Sequence, residues 1–370
     1  MKPDEVAAQD EYWMRQAIET ARGGRFIAPP NPSVGCVIVR DGVEISRGFT
    51  QRPGGHHAEI EALEHAAAAG KSVRGATVYV TLEPCSHYGR TPPCALRLIH
   101  EGVGRVVAGT VDPNPLVAGR GLRMLERAGI PAVAGVCEEE AIESNLAFIT
   151  RMKRGTPWVR LKTAASLDGR TALANGESKW ITGVAAREDG QRFRASAQGL
   201  LTGVGTVLAD DPQMSVRISG LPSPAKFIMD SGARTPPRAK ILQGAPATVF
   251  VGEDAPQANI DALRAAGAAV VALPQNAQGR LCLSKALEHI AQSGVNELFV
   301  EAGATLSGQM IAEGLVDELL VYLAPTLLGA GRPVAQLPEL VKLSDARRWR
   351  FVEAASVGDD LRVRLRKLPD

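Results

Sequence analysis

The sequence predicts an α/β protein of two domains, each a sheet layered with helices. Three observations predict it. At 370 residues the chain exceeds what one ordinary core organises, and short apolar runs alternate with helix-period segments along its length. A charged stretch punctuated by Gly and Pro, Arg151-Met152-Lys153-Arg154-Gly155-Thr156-Pro157, interrupts that alternation. Domains of residues 1–150 and 156–370 are expected on either side.

In the first domain, residues 12–21 set Met14, Ala17, Ile18 and Ala21 at helical spacing, and Gly23-Gly24 ends the pattern. Residues 34–39, Asp41-Gly42 and 43–48 read as strand, tight turn and strand, because Asp-Gly supplies the positive φ angles a hairpin needs. Helix formers run over 58–69 and stop at Gly70. A strand over 77–82, a short helix over 94–101 and a strand over 105–110 follow. Residues 119–128 are helical, 132–136 extended and 138–153 helical. The order α-β-β-α-β-α-β-α implies three layers around a mixed sheet.

A strand over 158–166, the turn pair Asp168-Gly169 and a return strand over 170–173 open the second domain. Residues 184–197 are helical. Short buried strands are expected at 199–202, 226–230, 247–251 and 297–301, with extended segments at 316–325 and 349–365. Strand order does not follow from spacing.

Apolar residues make up 45% of the chain and charged residues 22%, the proportions of a soluble globular protein. Lys and Arg total 42 against 40 Asp and Glu, so no basic excess attracts a phosphate backbone. Four Trp and four Tyr are few for a base-stacking platform. Residues 1–16 carry Asp4, Glu5, Asp10 and Glu11 with no apolar run, and no stretch of about 18 apolar residues occurs. A cytoplasmic protein is expected. Five cysteines, an odd number, suit thiols and metal ligands better than a disulfide framework.

His57-Ala58-Glu59, Pro84-Cys85 and Pro93-Cys94 carry the chemistry of the first half. One imidazole and two thiolates hold zinc with a fourth position free for water, and Glu59 is left to move protons. A structural zinc would normally be closed by four protein ligands, and three are found. His57 and Glu59 are two apart, about 200° of helical rotation, so they must sit at a helix start to face one site. Thr91-Pro92-Pro93-Cys94 has the cap and proline pattern of another helix start, where positive potential favours a Cys94 thiolate. His56 and His65 are neighbouring imidazoles outside a His-x-Glu pair. Cys36, Cys137 and Cys282 read as small apolar fillers.

In the second half, Lys162 interrupts an apolar strand and so needs a partner or a ligand. Gly203-Val204-Gly205-Thr206 and Glu301-Ala302-Gly303 each pass from a strand through glycine, and their amides suit a phosphate. The G-x-G-x-x-G fingerprint is absent.

Residues Thr81-Leu82-Glu83-Pro84-Cys85-Ser86-His87-Tyr88-Gly89-Arg90-Thr91-Pro92-Pro93-Cys94, with Asn31-Pro32 upstream and Asp112-Pro113-Asn114-Pro115-Leu116-Val117-Ala118-Gly119-Arg120-Gly121 downstream, closely resemble the bifunctional riboflavin-biosynthesis deaminase–reductase family. The second half resembles its reductase part at 162–170, 178–183, 201–212, Glu301-Ala302-Gly303, 314–318 and Ala324-Pro325. The resemblance implies a cytidine-deaminase-like three-layer domain followed by a dihydrofolate-reductase-like domain. It implies zinc-dependent attack of water on the amino-bearing C2 of 2,5-diamino-6-ribosylamino-4(3H)-pyrimidinone 5′-phosphate, with Glu59 as proton shuttle. Reduction of the ribosyl group to ribityl by NADPH follows, since no side chain donates hydride.

By matched position, His57, Cys85 and Cys94 are the implied zinc ligands. Asn31 and Arg90 match pyrimidine-binding positions, and His87 and Asn114 positions near the ribose phosphate. Lys162, Thr182, Asp210 and Glu301 match substrate-facing residues, with Asp210 the chosen proton-transfer group. Ser178, Arg194 and Arg217 match the phosphate clamp, for which Arg offers a charged fork. Trp180, Thr206, Asp210 and Gly303 match the cofactor side. The chain departs from the family at Thr50, where His is usual, at His56, where Pro is usual, and at Ala197-Gln198-Gly199-Leu200. The expected partners are a small-molecule pyrimidine nucleotide and further copies of the chain, with no nucleic acid and no membrane. The alternative is a zinc deaminase whose second domain only binds nucleotide.

Overall fold

Helix and strand alternate through the computed structural model, which describes residues 3–88, 92–114 and 118–368. It divides into Met1–Gly155 and Thr156–Asp370. The first unit runs α1 (Pro3–Ala21), β1 (Gly35–Arg40), β2 (Val43–Phe49), α2 (Ala58–Ala68), β3 (Thr77–Leu82), α3 (Cys94–Glu101), β4 (Arg105–Thr110), α4 (Arg120–Arg127), β5 (Ala132–Ala134), α5 (Glu138–Ser144) and α6 (Leu146–Arg154). Its sheet order is β2-β1-β3-β4-β5, antiparallel at β1 and parallel from β3 to β5.

Alternation along the strands splits two apolar layers, because successive side chains leave a strand on opposite faces. Cys36, Ile38, Val78, Val80, Val106 and Ala108 pack with Leu63, Leu98 and Leu125 of α2, α3 and α4. Val37, Val39, Tyr79 and Val107 pack with Trp13, Met14 and Ala17 of α1. Asp41 and Gly42 adopt φ of 53° and 75° as the hairpin requires. The helix expected over 138–153 is instead two, broken at Asn145. That side chain is buried and donates Nδ2 to the Ser33 carbonyl at 3.1 Å, a tertiary bond that competes with helical continuity.

The second unit contains β6 (Trp158–Ser166), β7 (Arg170–Leu173), α7 (Val184–Ser196), β8 (Gly199–Gly203), α8 (Val204–Asp210), β9 (Ala225–Met229), β10 (Ala247–Gly252), α9 (Gln257–Ala265) and β11 (Ala269–Leu273). It continues with α10 (Leu283–Gln292), β12 (Glu297–Val300), α11 (Ala304–Ala312), β13 (Glu318–Ala324), β14 (Gly331–Pro333), β15 (Trp349–Val357) and β16 (Asp360–Lys367). Nine strands order as β11-β10-β9-β8-β12-β6-β13-β16-β15, parallel from β11 to β13. The last two strands are antiparallel, so 349–365 is a hairpin turning at Gly358, φ 63°, rather than one extended segment.

Chain direction reverses at the middle of this sheet. From β8 the chain winds outward through β9, β10 and β11, then returns to lay β12 beside β8 and continues to β13 on the other side. The carboxyl ends of β8 and β12 therefore border the crevice where open α/β sheets take ligands.

A buried ion ladder ties β6, β13 and β16. Glu318, with no exposed surface, stands in register with Arg160 and Arg366. It accepts from Arg160 Nε at 2.6 Å and Arg364 Nη2 at 2.9 Å. Arg160 also bonds Glu297, and Phe193 of α7 lies under Arg160, Arg362 and Arg364 at 5.1, 5.5 and 6.0 Å. Burial would raise the Glu318 carboxyl, but Arg160 and Arg364 outweigh it and hold it at about 2. A folded-state value below the ordinary 4.5 stabilises the fold fully above pH 4.5, and that contribution fades as pH falls toward 2.

Replacing Glu318 by Gln strands the arginines and is expected to cost on the order of 3–5 kcal/mol of unfolding free energy at neutral pH. Urea melting followed by tryptophan fluorescence, with Trp158, Trp180 and Trp349 reporting from this unit, measures it. The difference between Glu318→Gln and the unaltered chain should shrink as pH drops from about 4.5 toward 2.

Candidate active sites

Two helix starts aim at one point in the first unit. His57 is the residue before α2, Glu59 lies in its first turn, and Cys94 opens α3. Cys85 follows β3 after Glu83-Pro84. The ligand atoms of His57, Cys85 and Cys94 all lie within 4.8 Å of one another. His57 Nδ1 stands 3.6 Å from Cys85 Sγ and 3.4 Å from Cys94 Sγ. On one tetrahedral zinc, with Zn–S near 2.3 Å and Zn–N near 2.0–2.1 Å, a sulfur and an imidazole nitrogen stand about 3.6 Å apart. The donor set fits zinc in both chemistry and spacing.

The electrostatics agree with a cation there. Cys85 is drawn down to about 4, first by the Cys94 thiol hydrogen bond and then by His57 and the Cys94 amide. That amide donates to Cys85 Sγ at 3.2 Å. The amide at the start of α3 thus favours a thiolate on Cys85. The Cys94 thiol is raised by its bond to Cys85 and by burial. His57 rises to about 9 beside the Cys85 thiolate. Glu59 is 4% exposed, and burial, with the Cys85 charge, pushes its carboxyl up to about 7.

Of the other expected residues, Asn31 and Asn114 are half-buried and His87 is exposed; burial raises the Asp112 carboxyl, an effect that the Asn114 amide and His87 partly offset. Arg90 lies outside the described residues. His56 and His65 both turn to Glu61, at 3.3 and 3.4 Å, and stay out of the triad. Cys36 is a buried filler as expected. Cys137 and Cys282 are instead half-buried residues preceding α5 and α10.

In the second unit the crevice gathers Lys162, Arg194 and Glu301. Arg194 Nη2 donates to Glu301 Oε2 at 2.5 Å, and Lys162 Nζ stands 3.9 Å from Glu301 Oε1. Burial would raise the Glu301 carboxyl, but Arg194 and Lys162 outweigh it and the net shift is down, with Arg217 adding to it. Arg194 also donates to the Ser215 carbonyl at 2.7 Å, and its Nε is buried without a partner. Thr182 is buried and Ser178 half-buried. Arg217 is exposed, its amide held by Gln191 Oε1 at 3.0 Å.

The Gly-rich turns expected after the strands are helix starts: β8 runs straight into α8, and β12 reaches α11 through Glu301-Ala302-Gly303. A Cβ built at Gly205 meets no protein atom, and one at Gly303, whose φ is −71°, meets only Thr206 Oγ1 at 3.8 Å. Neither packing nor backbone conformation demands glycine there, so the space beside two helix amino ends suits an anionic cofactor. Thr206 and Asp210 are four apart on α8 and share a face. Asp210 is 3.9 Å from Lys179, and Trp180 is exposed with the Arg187 guanidinium 4.4 Å over its ring.

Residues 7–110 match the cytidine and deoxycytidylate deaminase zinc-binding region, and residues 157–363 match the RibD C-terminal domain. Riboflavin biosynthesis protein RibD of Escherichia coli K12 is 45% identical, over 96% of this chain and 99% of that protein. The Bacillus amyloliquefaciens RibD is 39% identical over 96% and 95%. Among solved structures, Acinetobacter baumannii RibD superposes with a TM-score of 0.89 at 42% identity, over 98% of this chain and all of the other. The Thermotoga maritima protein, described as a diaminohydroxyphosphoribosylaminopyrimidine deaminase and 5-amino-6-(5-phosphoribosylamino)uracil reductase, superposes at 0.87 with 31% identity over 98% and 100%.

The chain belongs to the RibD family. It therefore joins a cytidine-deaminase-like zinc domain to a RibD reductase domain. Its departures from the RibD pattern have local physical roles. Thr50, 3% exposed, accepts the Val34 amide at 3.0 Å and pins the end of β2. Gln198 Oε1 accepts the amides of Asn296 and Glu297 at 3.1 and 3.0 Å, stapling the start of β12 to the residue before β8. Sequence reasoning passed over Glu83 and Asp112, both carboxylates that organise RibD loops through backbone amides.

A Cys94→Ala chain is expected to bind zinc at least roughly 100-fold more weakly, since loss of a ligand exceeds the cost of losing an outer partner. Elemental analysis after dialysis against a chelator measures it.

Proposed function

We propose that the first unit deaminates 2,5-diamino-6-ribosylamino-4(3H)-pyrimidinone 5′-phosphate and that the second reduces the ribosyl group of the product to ribityl, giving 5-amino-6-(5-phosphoribitylamino)uracil. The observation that carries the reading is the triad of His57, Cys85 and Cys94 beside a buried carboxylate, Glu59, that is not one of its ligands. Those three residues hold zinc, which when bound lowers the pKa of a water toward neutrality and polarises the site. Glu59 would take one proton of the attacking water and pass it to the ring nitrogen, then carry the second, from the hydroxyl left on C2, to the departing amino group as C2=O forms, so one water is consumed for each ammonia released. Asn31 and Arg90 orient the pyrimidine, and His87 and Asn114 hold the ribose phosphate end.

In the second unit Trp180, Thr206 and Gly303 seat NADPH, which supplies the hydride for C1′ of the opened sugar. Lys162, Thr182 and Glu301 face the substrate, while Ser178, Arg194 and Arg217 clamp its phosphate. Asp210 moves the proton. Its place on α8, one turn beyond Thr206 on the same face, supports that role.

The chain works in the cytoplasm in this reading, and among the described residues no helix is long and apolar enough to cross a membrane. It acts as a homo-oligomer, a reading supported by β15, an unpaired sheet edge that carries exposed Phe351 and Val352.

Glu59→Gln should lower ammonia release by about 10²–10⁴ while retaining zinc, as loss of a positioned proton shuttle does. A full rate in that variant sinks the deaminase mechanism. Asp210→Asn should spare ammonia release and abolish NADPH oxidation in the presence of the deaminated substrate. NADPH binding without oxidation in the unaltered chain would leave the second unit as a nucleotide-binding domain only.

A further inference from the structure

We infer that Glu83 is a positioning residue that fixes the Asn114 loop against the zinc-ligand loop through its two carboxyl oxygens. The inference rests on the reading of Asn114 as a substrate-binding residue. Glu83 ends the β3 path two residues before Cys85, is 5% exposed and is not a member of the metal triad. Its Oε2 accepts the amides of Asp112 at 3.1 Å and Gly119 at 2.8 Å. Its Oε1 accepts those of Gly121 at 2.7 Å and Leu122 at 3.4 Å. One side chain thus receives amides from both ends of the loop that carries Asn114.

Asp112 extends the connection, because its Oδ1 accepts the Asn114 amide at 2.8 Å. A second contact locks the same joint. A Cβ on Gly121 would fall 1.9 Å from the Pro84 carbonyl oxygen, so the first turn of α4 lies directly on the backbone that precedes Cys85. The amides bonded to Oε1 belong to that first turn, where a negative charge also meets the positive end of the helix.

Four donors on two oxygens require a carboxylate. An amide of the same shape has one accepting oxygen, and its NH₂ would point at one of the two amide pairs, leaving donors opposed and unsatisfied. A space-filling role would tolerate that exchange. A role in holding Asn114 would not.

The test is a double-mutant cycle on the full-length, zinc-loaded chain, reading ammonia release against concentration of the diaminopyrimidinone ribosyl phosphate. Glu83→Gln is expected to raise KM by about tenfold with kcat changed much less, as for loss of uniform binding. Zinc content and NADPH oxidation should stay at the unaltered level. Asn114→Ala should raise KM as well, and the double variant should be no worse than Asn114→Ala alone. If the two KM effects multiply, or if Glu83→Gln leaves KM unchanged, the inference is overturned. An Asn114→Ala chain with an unaltered KM overturns instead the reading of Asn114. Should Glu83→Gln fail to fold, Glu83→Asp keeps the charge but shortens its reach, and the same cycle is expected with a smaller rise in KM.

Discussion

Convergence of two helix amino ends on one small volume is the constraint that the first unit is built around. His57 and Glu59 can face the same point only because the first precedes α2 and the second sits in its opening turn. Cys94 reaches that point by opening α3, and Cys85 by following a strand of the same sheet. The three-layer packing holds these starts in place. Leu63 and Leu98, from the same two helices, share one apolar cluster with the strands that carry the ligand loops. Precision in the donor spacing therefore comes from burial distant from the donors, the arrangement a metal site needs when its own ligands sit on loops.

Glycine serves differently beside the crevice of the second unit. At Gly121 of the first unit a Cβ is excluded by backbone, whereas at Gly205 and Gly303 it would meet almost nothing. The first case is a packing requirement between protein segments. The second leaves room for something that is not protein, at the carboxyl ends of two neighbouring parallel strands where the winding direction reverses. Lys162 enters the same crevice from β6, the strand on the other side of β12, and meets Glu301 there.

Much of this was legible because strong local signals coincide with tertiary demands. The strands at Thr77–Leu82, Arg105–Thr110 and Trp158–Ser166 and the helix at Cys94–Glu101 have the bounds that their apolar period and flanking Gly or Pro dictate. The triad was legible too, since His-x-Glu and two Pro-Cys pairs are scarce without a metal. What escaped lies where distant residues decide. Asn145 breaks a helix through a bond to Ser33, 112 positions away. α9 and α11 set few large apolar residues at helical spacing, whereas α10 does place Leu283, Leu287 and Ile290 on one buried face, a signal that the sequence carries. Glu83 was invisible as more than a motif letter because its partners are backbone amides, which no side-chain pattern records.

Three glutamates show how environment, not residue type, divides structural from chemical work. Glu318 is wholly buried and surrounded by Arg160, Arg364 and Arg366, so its charge is fixed and its contribution is to bind strands together. Glu83 is nearly as buried but is satisfied by uncharged amides, and its geometry, two oxygens that together receive amides from both ends of one loop, suits it to joining them. Among the described residues Glu59 has neither an arginine nor a cage of amides. Its neighbours are His57 and the two thiols, which are themselves committed to the metal. A carboxylate buried without a permanent counter-ion is expensive to keep charged, and burial accordingly raises it to about 7, where it can hold or give up a proton near neutral pH.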